Sequence, residues 1–451
     1  MHETANRGLL FTLFLGVLLA ALDIAVLGPA LPAIRAHFGI DDRTVAWAFN
    51  TFVFFNLLGV PIMTKLSDRH GRRLVYVVDV LLFAVGALIV AAAPSFAVLL
   101  VGRALQGLGA AGIFPVAAAV VGDAFPKERR GQALGILGAV FGVAFIIGPI
   151  LAGILLLVDW RFIYVAYVPL AVLVMILGAR QLPRSTAEDR QPLDLWGLVL
   201  LGVVLVSLAY GINRLDASDL SASLLDPRVW SSFLLVAVGL PLFIRLERKA
   251  PDPVVRPGLF SNRQVVIACG LAAVAGLHES AFIFLPALAI EAFGVSNSTA
   301  SFMLMPLVVS IVIASPIAGR VLDRVGSRSV VLACQAILVA GIGVLAWRGE
   351  QIEFFYLGTI LLGTGLAGIM GPALSYILLG AANVAERGVS QGLITLFISV
   401  GQLLGGAAVG AIAASVAGEL GYRTGFAAIA VAGVIIWLFA LALKKRPRPI
   451  T

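Results

Sequence analysis

Long apolar segments alternate with short polar segments along almost the whole chain, from Leu9 to Leu443. Each apolar segment is close to the ~20 residues that an α-helix needs to cross a hydrocarbon core of ~30 Å. The pattern therefore predicts fourteen membrane-spanning helices. We place them near residues 9–33, 45–66, 73–93, 97–121, 132–157, 161–181, 195–213, 229–246, 264–290, 299–321, 329–347, 354–379, 389–416 and 424–443.

Short motifs recur along the chain at a nearly constant separation, which indicates an internal repeat. Leu66–Arg73 recurs as Val321–Arg328, and Gly107–Gly112 recurs as Gly363–Gly368. The first motif lies in an Arg-rich loop in both copies, and such loops face the cytoplasm. An even number of helices must separate two loops on the same side, so the halves are parallel repeats about an axis along the membrane normal.

The fold expected from this repeat is an all-α polytopic membrane protein with two six-helix bundles related by pseudo-two-fold symmetry. Two predicted spans near the middle of the chain have no counterpart in the other half. The expected parts are an N-terminal bundle at 1–183, a linker with two extra transmembrane helices at 184–262, and a C-terminal bundle at 263–451. Twelve spans with two surface segments is the alternative.

Composition and charge agree with a chain that lies almost entirely in the membrane. Of 451 residues, 60% are hydrophobic and 12% are charged, with a mean hydropathy of +1.04, whereas soluble domains carry about 25% charged residues. The net charge of +8 comes from Lys and Arg in short loops beside helix ends, which argues against nucleic-acid binding. The bias of these residues to alternate loops predicts a multi-pass protein of the inner (plasma) membrane with both termini in the cytoplasm.

The sequence offers no residues for enzymatic chemistry. It contains no HExxH, Walker or GxSxG motif. Cys269 and Cys334 both fall inside apolar spans, where isolated thiols behave as small hydrophobic groups. We expect a protein that is not an enzyme and that uses no metal and no cofactor.

Ionisable residues at membrane depth are few, and such residues mark functional sites because an unpaired charge is costly there. Asp23 lies in the middle of the first span, which makes it a candidate for binding and releasing a proton. The repeat places His278 and Glu279 at the equivalent point of the second half. We expect Asp23 and Glu279 to line a central cavity near the bilayer midplane, where transporters built from repeats bind substrate and coupling ion. For His278, a proton relay and a polar packing role are both open.

Arg103 is the basic residue that falls in the interior of a predicted span, away from its ends. A guanidinium group at this depth needs a carboxylate or backbone carbonyls as partners. If Arg103 pairs with Asp23 when the acid is ionised and leaves when it is protonated, proton binding becomes a conformational switch. A static anchor for Arg103 is the alternative.

Two further motifs point to moving parts. The loop around Asp68, and its repeat at Asp323, can close the cytoplasmic face through an ion pair or through a carboxylate at a helix end. Its residues are Asp68, Arg69, Gly71, Arg72, Arg73, Asp323 and Arg324. The fifth span carries small residues at near-helical intervals and a proline, which favour close helix packing and a kink; its key positions are Gly135, Gly148, Pro149 and Gly153.

These motifs together resemble the major facilitator superfamily over nearly the whole chain. The similarity is greatest to its 14-helix drug:proton antiporter branch, through Leu22-Asp23, the loop at 65–73, Arg103 to Gly107 and the stretch Gly135 to Gly153. Thr64, Ala144, Ala152 and Glu291 depart from the usual residues of those motifs. The resemblance implies the major facilitator fold and export as the direction of transport.

The function expected from these features is proton-coupled export of hydrophobic or cationic amphiphilic compounds by alternating access. The partners would be the small substrate, protons and the lipid bilayer, and we expect a monomer. A lipid or glycolipid exporter of the same superfamily is an alternative. A membrane sensor or scaffold that transports nothing is another, although it would leave the buried acids without a purpose.

Overall fold

The protein is described by a computed structural model, which covers residues 2–183, 194–250, 253–255, 257–369, 374, 377 and 387–443. Regular structure in these ranges is helical. Thirteen helices in the described part of the chain are long and apolar enough to cross a membrane, and Ile352–Gly368 is a shorter apolar helix. The prediction of an all-α polytopic membrane protein is confirmed.

The helices follow one another with short connections. They are α1 (His2–Phe38), α2 (Asp42–His70), α3 (Arg72–Ala91), α4 (Phe96–Ala124), α5 (Lys127–Leu155), α6 (Arg161–Val165), α7 (Tyr167–Gln181), α8 (Leu195–Asn213), α9 (Leu220–Leu225), α10 (Pro227–Glu247), α11 (Arg263–Phe293), α12 (Asn297–Phe302), α13 (Met305–Val325), α14 (Ser327–Arg348), α15 (Ile352–Gly368), α16 (Arg387–Ser415) and α17 (Glu419–Ala440). A 3₁₀ turn at Pro257–Ser261 precedes α11.

Contacts divide the chain into two compact units. The first consists of Met1–Ile40 and Trp47–Leu198, and the second of Asp41–Ala46 and Val199–Thr451. The two central spans are present as α8 and α10, and each meets the length and composition of a membrane-spanning helix. This finding favours the prediction of two extra membrane helices over the alternative of two surface segments.

Two of the predicted spans contain a local turn. The span at 161–181 has a turn at Ala166, between α6 and α7, and the span at 299–321 has one at Met303 and Leu304, between α12 and α13. The backbone stays in the right-handed helical region at all three residues, so each pair of helices forms one span. All three residues are apolar, so hydrophobicity does not reveal the turns. The predicted twelfth span, 354–379, is helical through Gly368, and most of its remainder lies outside the described residues.

The same tight turn opens α3 and α14, in agreement with the internal repeat. Gly71 has φ of 92° and Gly326 has φ of 82°, a region that glycine adopts at little cost. The amide of Gly71 donates to the Ser67 carbonyl at 3.0 Å, and the amide of Gly326 donates to the Leu322 carbonyl at 3.0 Å. The two glycines therefore end one helix and begin the next in both halves.

Small residues allow helices to approach each other within each unit. A Cβ atom on Gly109 of α4 would overlap the backbone of Phe83 in α3, and one on Gly365 of α15 would lie 2.5 Å from the Leu338 Cβ in α14. Lipid tails are as apolar as the helices, so close van der Waals contact of this kind drives association in a membrane. The pairs α3–α4 and α14–α15 thus both approach closely at a glycine.

Replacing Gly109 with Ala should destabilise the protein, because the new methyl group meets backbone that cannot rotate away. We expect a loss of about 1–3 kcal/mol, the usual effect of overpacking. Gly138→Ala is the matched control, since nothing lies within 4 Å of a Cβ at that position. Thermal unfolding of the purified variants in detergent measures the difference, and equal melting temperatures would contradict the close α3–α4 contact.

Candidate functional site

The first unit contains a fully buried ion pair between α1 and α4. The Arg103 Nη1 atom donates to both carboxylate oxygens of Asp23, at 2.9 Å and 2.7 Å. Both side chains are 0% exposed. The structure thus brings together the two charged residues that the sequence singles out within the membrane-spanning part of the first half.

Neighbouring groups hold the guanidinium in place. Its Nε atom donates to the Ala48 carbonyl of α2 at 2.9 Å, and the Phe52 ring centroid lies 4.5 Å from its central carbon. Gln106, one turn later on α4, accepts from Nη1 at 3.0 Å and donates to Asp23 at 3.3 Å. Asp23 is therefore bound by two side chains of α4, and Arg103 ties three helices together.

Each charge of the pair depends on the other. Removing one partner of a buried ion pair leaves an uncompensated charge and typically costs about 3–5 kcal/mol. A proton on Asp23 would remove its charge without removing the side chain and would weaken the hold on Arg103.

Two tyrosines beside the ion pair were not predicted as site residues. Tyr164 of α6 and Tyr167 of α7 are 0% and 1% exposed, and both interact electrostatically with Asp23 and Arg103. Their hydroxyl groups have no hydrogen-bond partner among the described residues, and neither has Arg103 Nη2. The sequence signal that could have revealed them is a pair of tyrosines about one turn apart within an apolar span. They provide polar atoms to which a displaced guanidinium could turn.

The second unit holds its acid differently. Glu279 of α11 is 6% exposed and accepts a hydrogen bond of 2.9 Å from the Gln402 Nε2 atom of α16. Among the described side chains, no cation pairs with Glu279. A glutamine donor can bind either protonation state of the acid, whereas an arginine strongly favours the charged one. The equivalent positions of the two halves therefore offer different chemistry.

His278 faces away from Glu279. Its ring is fully buried, and Nδ1 donates to the Val274 carbonyl of its own helix at 2.6 Å. A Cβ on Gly433 of α17 would lie 2.7 Å from Nε2, so that side of the ring packs against α17. No hydrogen bond joins His278 to Glu279 in the described structure. This geometry favours polar packing over a direct proton relay between them.

The loop between α2 and α3 forms a small ion-pair cluster. Arg72 pairs with Asp68 at 3.3 Å and, through Nε, with Asp123 at the end of α4. Arg69 is exposed and Arg73 is half-buried. In the repeated loop, Arg324 is exposed, and the side chain of Asp323 lies outside the described residues. The cluster connects α2, α3 and α4 at one end of the first unit.

Close packing of α5 is found at Gly148 of the predicted stretch. A Cβ on Gly148 would lie 2.5 Å from the Ala25 Cβ, two residues after Asp23 on α1. A Cβ at Gly135, Gly138 or Gly142 would meet nothing within 4 Å in the described part of the chain. Pro149 lies inside the helix and Gly153 is buried. The contact at Gly148 packs α5 against α1 near the level of Asp23.

The described part of the chain is helical, spans the membrane many times and holds charged residues buried in mid-helix. The chain belongs to the Major Facilitator Superfamily, whose family model matches residues 13–277 and 267–451. This membership confirms the superfamily that the motifs resemble. It does not by itself distinguish the 14-helix antiporter branch.

Curated relatives match most of this chain. It is 30% identical over 402 residues to the uncharacterized MFS-type transporter YfiU of Bacillus subtilis, covering 88% of this chain and 77% of the relative. It is 27% identical over 416 residues to Multidrug resistance protein 3 of the same organism, covering 89% and 78%. Multidrug resistance protein Stp of Mycobacterium tuberculosis is 28% identical over 419 residues, with coverage of 91% and 77%.

Solved structures share the fold at lower sequence identity. A D-xylose-proton symporter superposes with a TM-score of 0.70 at 14% identity, over 97% of each chain. The human organic anion transporter MFSD10 superposes with a TM-score of 0.64 at 18% identity, over 96% of this chain and 99% of that one. At these identities the likeness establishes the fold, and the function must be argued from the site.

The ion pair predicts that Asp23→Asn and Arg103→Gln have unequal effects on the stability of the protein. Asp23→Asn leaves Arg103 buried with a charge that it cannot lose, whereas Arg103→Gln leaves an acid that can bind a proton. We expect Asp23→Asn to cost about 3–5 kcal/mol of stability, Arg103→Gln to cost less, and the double variant to recover most of the loss. Thermal unfolding of all four proteins gives the coupling free energy. Additive effects of the single substitutions would contradict a direct interaction.

Proposed function

We propose that this protein is a proton-coupled exporter of hydrophobic or cationic amphiphilic compounds that works by alternating access. The observation that carries the proposal is the fully buried Asp23–Arg103 pair. A charged pair held in the interior of a membrane protein is expensive to maintain and points to function. We further propose that the protein lies in the inner membrane with both termini in the cytoplasm, as its loop charges predict.

Proton binding at Asp23 would be the switching step. A proton on the carboxylate removes the attraction that holds Arg103 Nη1 and leaves hydrogen bonds to neutral acceptors, from Nε to Ala48 and from Nη1 to Gln106, which the guanidinium can exchange for others. The freed guanidinium could then turn toward the hydroxyls of Tyr164 and Tyr167. Such a second resting position is what a two-state element requires, because a ligand shifts an equilibrium only by its differential affinity for the two states.

The acid of the second unit would contribute to substrate recognition. Glu279 has a neutral amide partner in Gln402 and no described cation, so its negative charge remains available to a cationic substrate. Protons and a cationic amphiphile would then compete for the acidic groups, which couples their movement in opposite directions. The multidrug resistance names of two relatives are consistent with substrates of this class.

Proton release from acid-loaded inverted vesicles tests the function. On addition of a panel of lipophilic cations and neutral amphiphiles, the native protein should discharge the gradient with at least one compound. Asp23→Asn and Glu279→Gln should abolish the discharge or reduce it at least tenfold, because each removes a titratable group. Glu353→Gln, an exposed acid in the first turn of α15, is the matched control and should behave like the native protein.

Two other outcomes of this assay would overturn the proposal. If discharge persists in both acid variants, coupling does not depend on the buried acids. If no compound discharges the gradient while a fluorescent lipid crosses the membrane, the protein is a lipid exporter. The double variant Asp23→Asn/Arg103→Gln checks that any loss does not come from misfolding of Asp23→Asn.

The two tyrosines yield a separate prediction. A buried hydroxyl without a partner contributes nothing to stability, so a purely structural role predicts that Tyr→Phe is neutral or slightly stabilising. If the hydroxyls receive Arg103 during the cycle, Tyr164→Phe/Tyr167→Phe should keep its melting temperature and lose about tenfold in proton-coupled transport. Unchanged transport would show that Arg103 does not use these groups.

A further inference from the structure

A second carboxyl group is buried in the first unit, apart from the ion pair. Asp79 of α3 is 0% exposed, and neither of its carboxylate oxygens has a hydrogen-bond partner among the described residues. It packs against Gly112 of α4, where a Cβ atom would overlap the carboxylate. A buried carboxylate without donors is strongly disfavoured. The side chain therefore carries its proton in this arrangement.

The second half shows that this position does not need an acid for packing. Asp79 follows Gly71 at the same interval at which Cys334 follows Gly326. Cys334 in turn packs on Gly368, where a Cβ would overlap the thiol, just as Asp79 packs on Gly112. The same helix contact is thus made by a neutral side chain in one half. The carboxyl group of the other half is left without a structural explanation.

Polar contacts also join α3 to α1 and α7 one turn before Asp79. Tyr76 lies one turn before Asp79 on the same helix and donates to the Thr12 carbonyl at 3.3 Å. The Thr12 hydroxyl lies 3.1 Å from both the Gly8 carbonyl and the Gln181 Oε1 atom, and it can donate its one proton to either. Gln181 is exposed at the end of α7. Among the described residues, no hydrogen bond joins these groups to the Asp79 carboxyl group.

The other titratable groups on the neighbouring helices are engaged elsewhere. On α4, Arg103 pairs with Asp23 and Asp123 pairs with Arg72. Tyr164 and Tyr167, on the helices α6 and α7 that also pack against α3, interact with the Asp23–Arg103 pair. Among the described groups, Tyr76 is the titratable side chain that interacts with Asp79.

We propose that Asp79 is a second proton-binding site of the first unit, separate from the Asp23–Arg103 pair. On release, the O–H bond of the carboxyl group breaks, the proton passes to water, and a carboxylate remains. Any part that Asp79 plays in transport rests on the proposed proton-coupled export, whereas proton exchange at Asp79 does not.

Infrared difference spectroscopy of the protein in lipid films tests the exchange directly. Stepping the pH of the bathing buffer should produce a carbonyl-stretch band of a protonated carboxylic acid that shifts in D₂O. Asp79→Asn should remove one such band, while Asp23→Asn and Glu279→Gln should leave that band in place. Asp79→Cys, which copies the second half, controls for folding and should retain the native melting temperature.

The outcomes separate this proposal from the proposed function. If the band assigned to Asp79 is present but no compound drives proton release from vesicles, the second proton site stands and coupled export fails. If Asp79→Asn removes no pH-dependent band, Asp79 does not exchange its proton and the proposal is overturned, whatever the vesicles show. If both hold, Asp79→Asn should lower the number of protons released per substrate by one.

Discussion

The first unit is organised around the requirement that a charge in its interior be met by an opposite one. Asp23 and Arg103 satisfy that requirement for each other, and Arg103 also takes a backbone carbonyl from α2 and an aromatic face. Three helices are held by one guanidinium group as a result. Because Coulomb interactions are strong in a medium of low dielectric constant, protonation of Asp23 would weaken this contact.

Around this pair, helices associate through small residues rather than through burial of apolar surface from water. Gly109 and Gly365 allow the α3–α4 and α14–α15 pairs to approach closely, and Gly276 does the same between α11 and α16. These contacts are short and rigid, so polar residues at the same interfaces are held in defined positions. Asp79 and Cys334 occupy equivalent positions at these interfaces. The carboxyl group of one half can therefore be compared directly with the thiol of the other.

The two halves share a turn geometry, but the partners of their buried acids differ. The loops at Gly71 and Gly326 share one turn, yet Asp23 has an arginine partner and Glu279 has a glutamine partner. A fold of this superfamily supports transport of many kinds of cargo, so the pattern of acids and their partners carries the functional argument. An acid bound by a neutral amide is suited to a ligand that competes with protons.

The sequence by itself determined the membrane-spanning class, most span positions, the repeat and the isolated charged residues, because each depends on local hydrophobicity or on motif spacing. It could not show which charged residues meet, since Asp23 and Arg103 are brought together by the packing of α1 on α4. The turns at Ala166 and at Met303–Leu304 could not be predicted from hydrophobicity either, because every residue there is apolar. Asp79 could have been recognised as an acid within a span. Only the tertiary structure decides which helix faces are neighbours. This decides that Asp79 has no hydrogen-bond partner among the described residues and contacts Gly112, and that the positions at Gly135 and Gly138 are open.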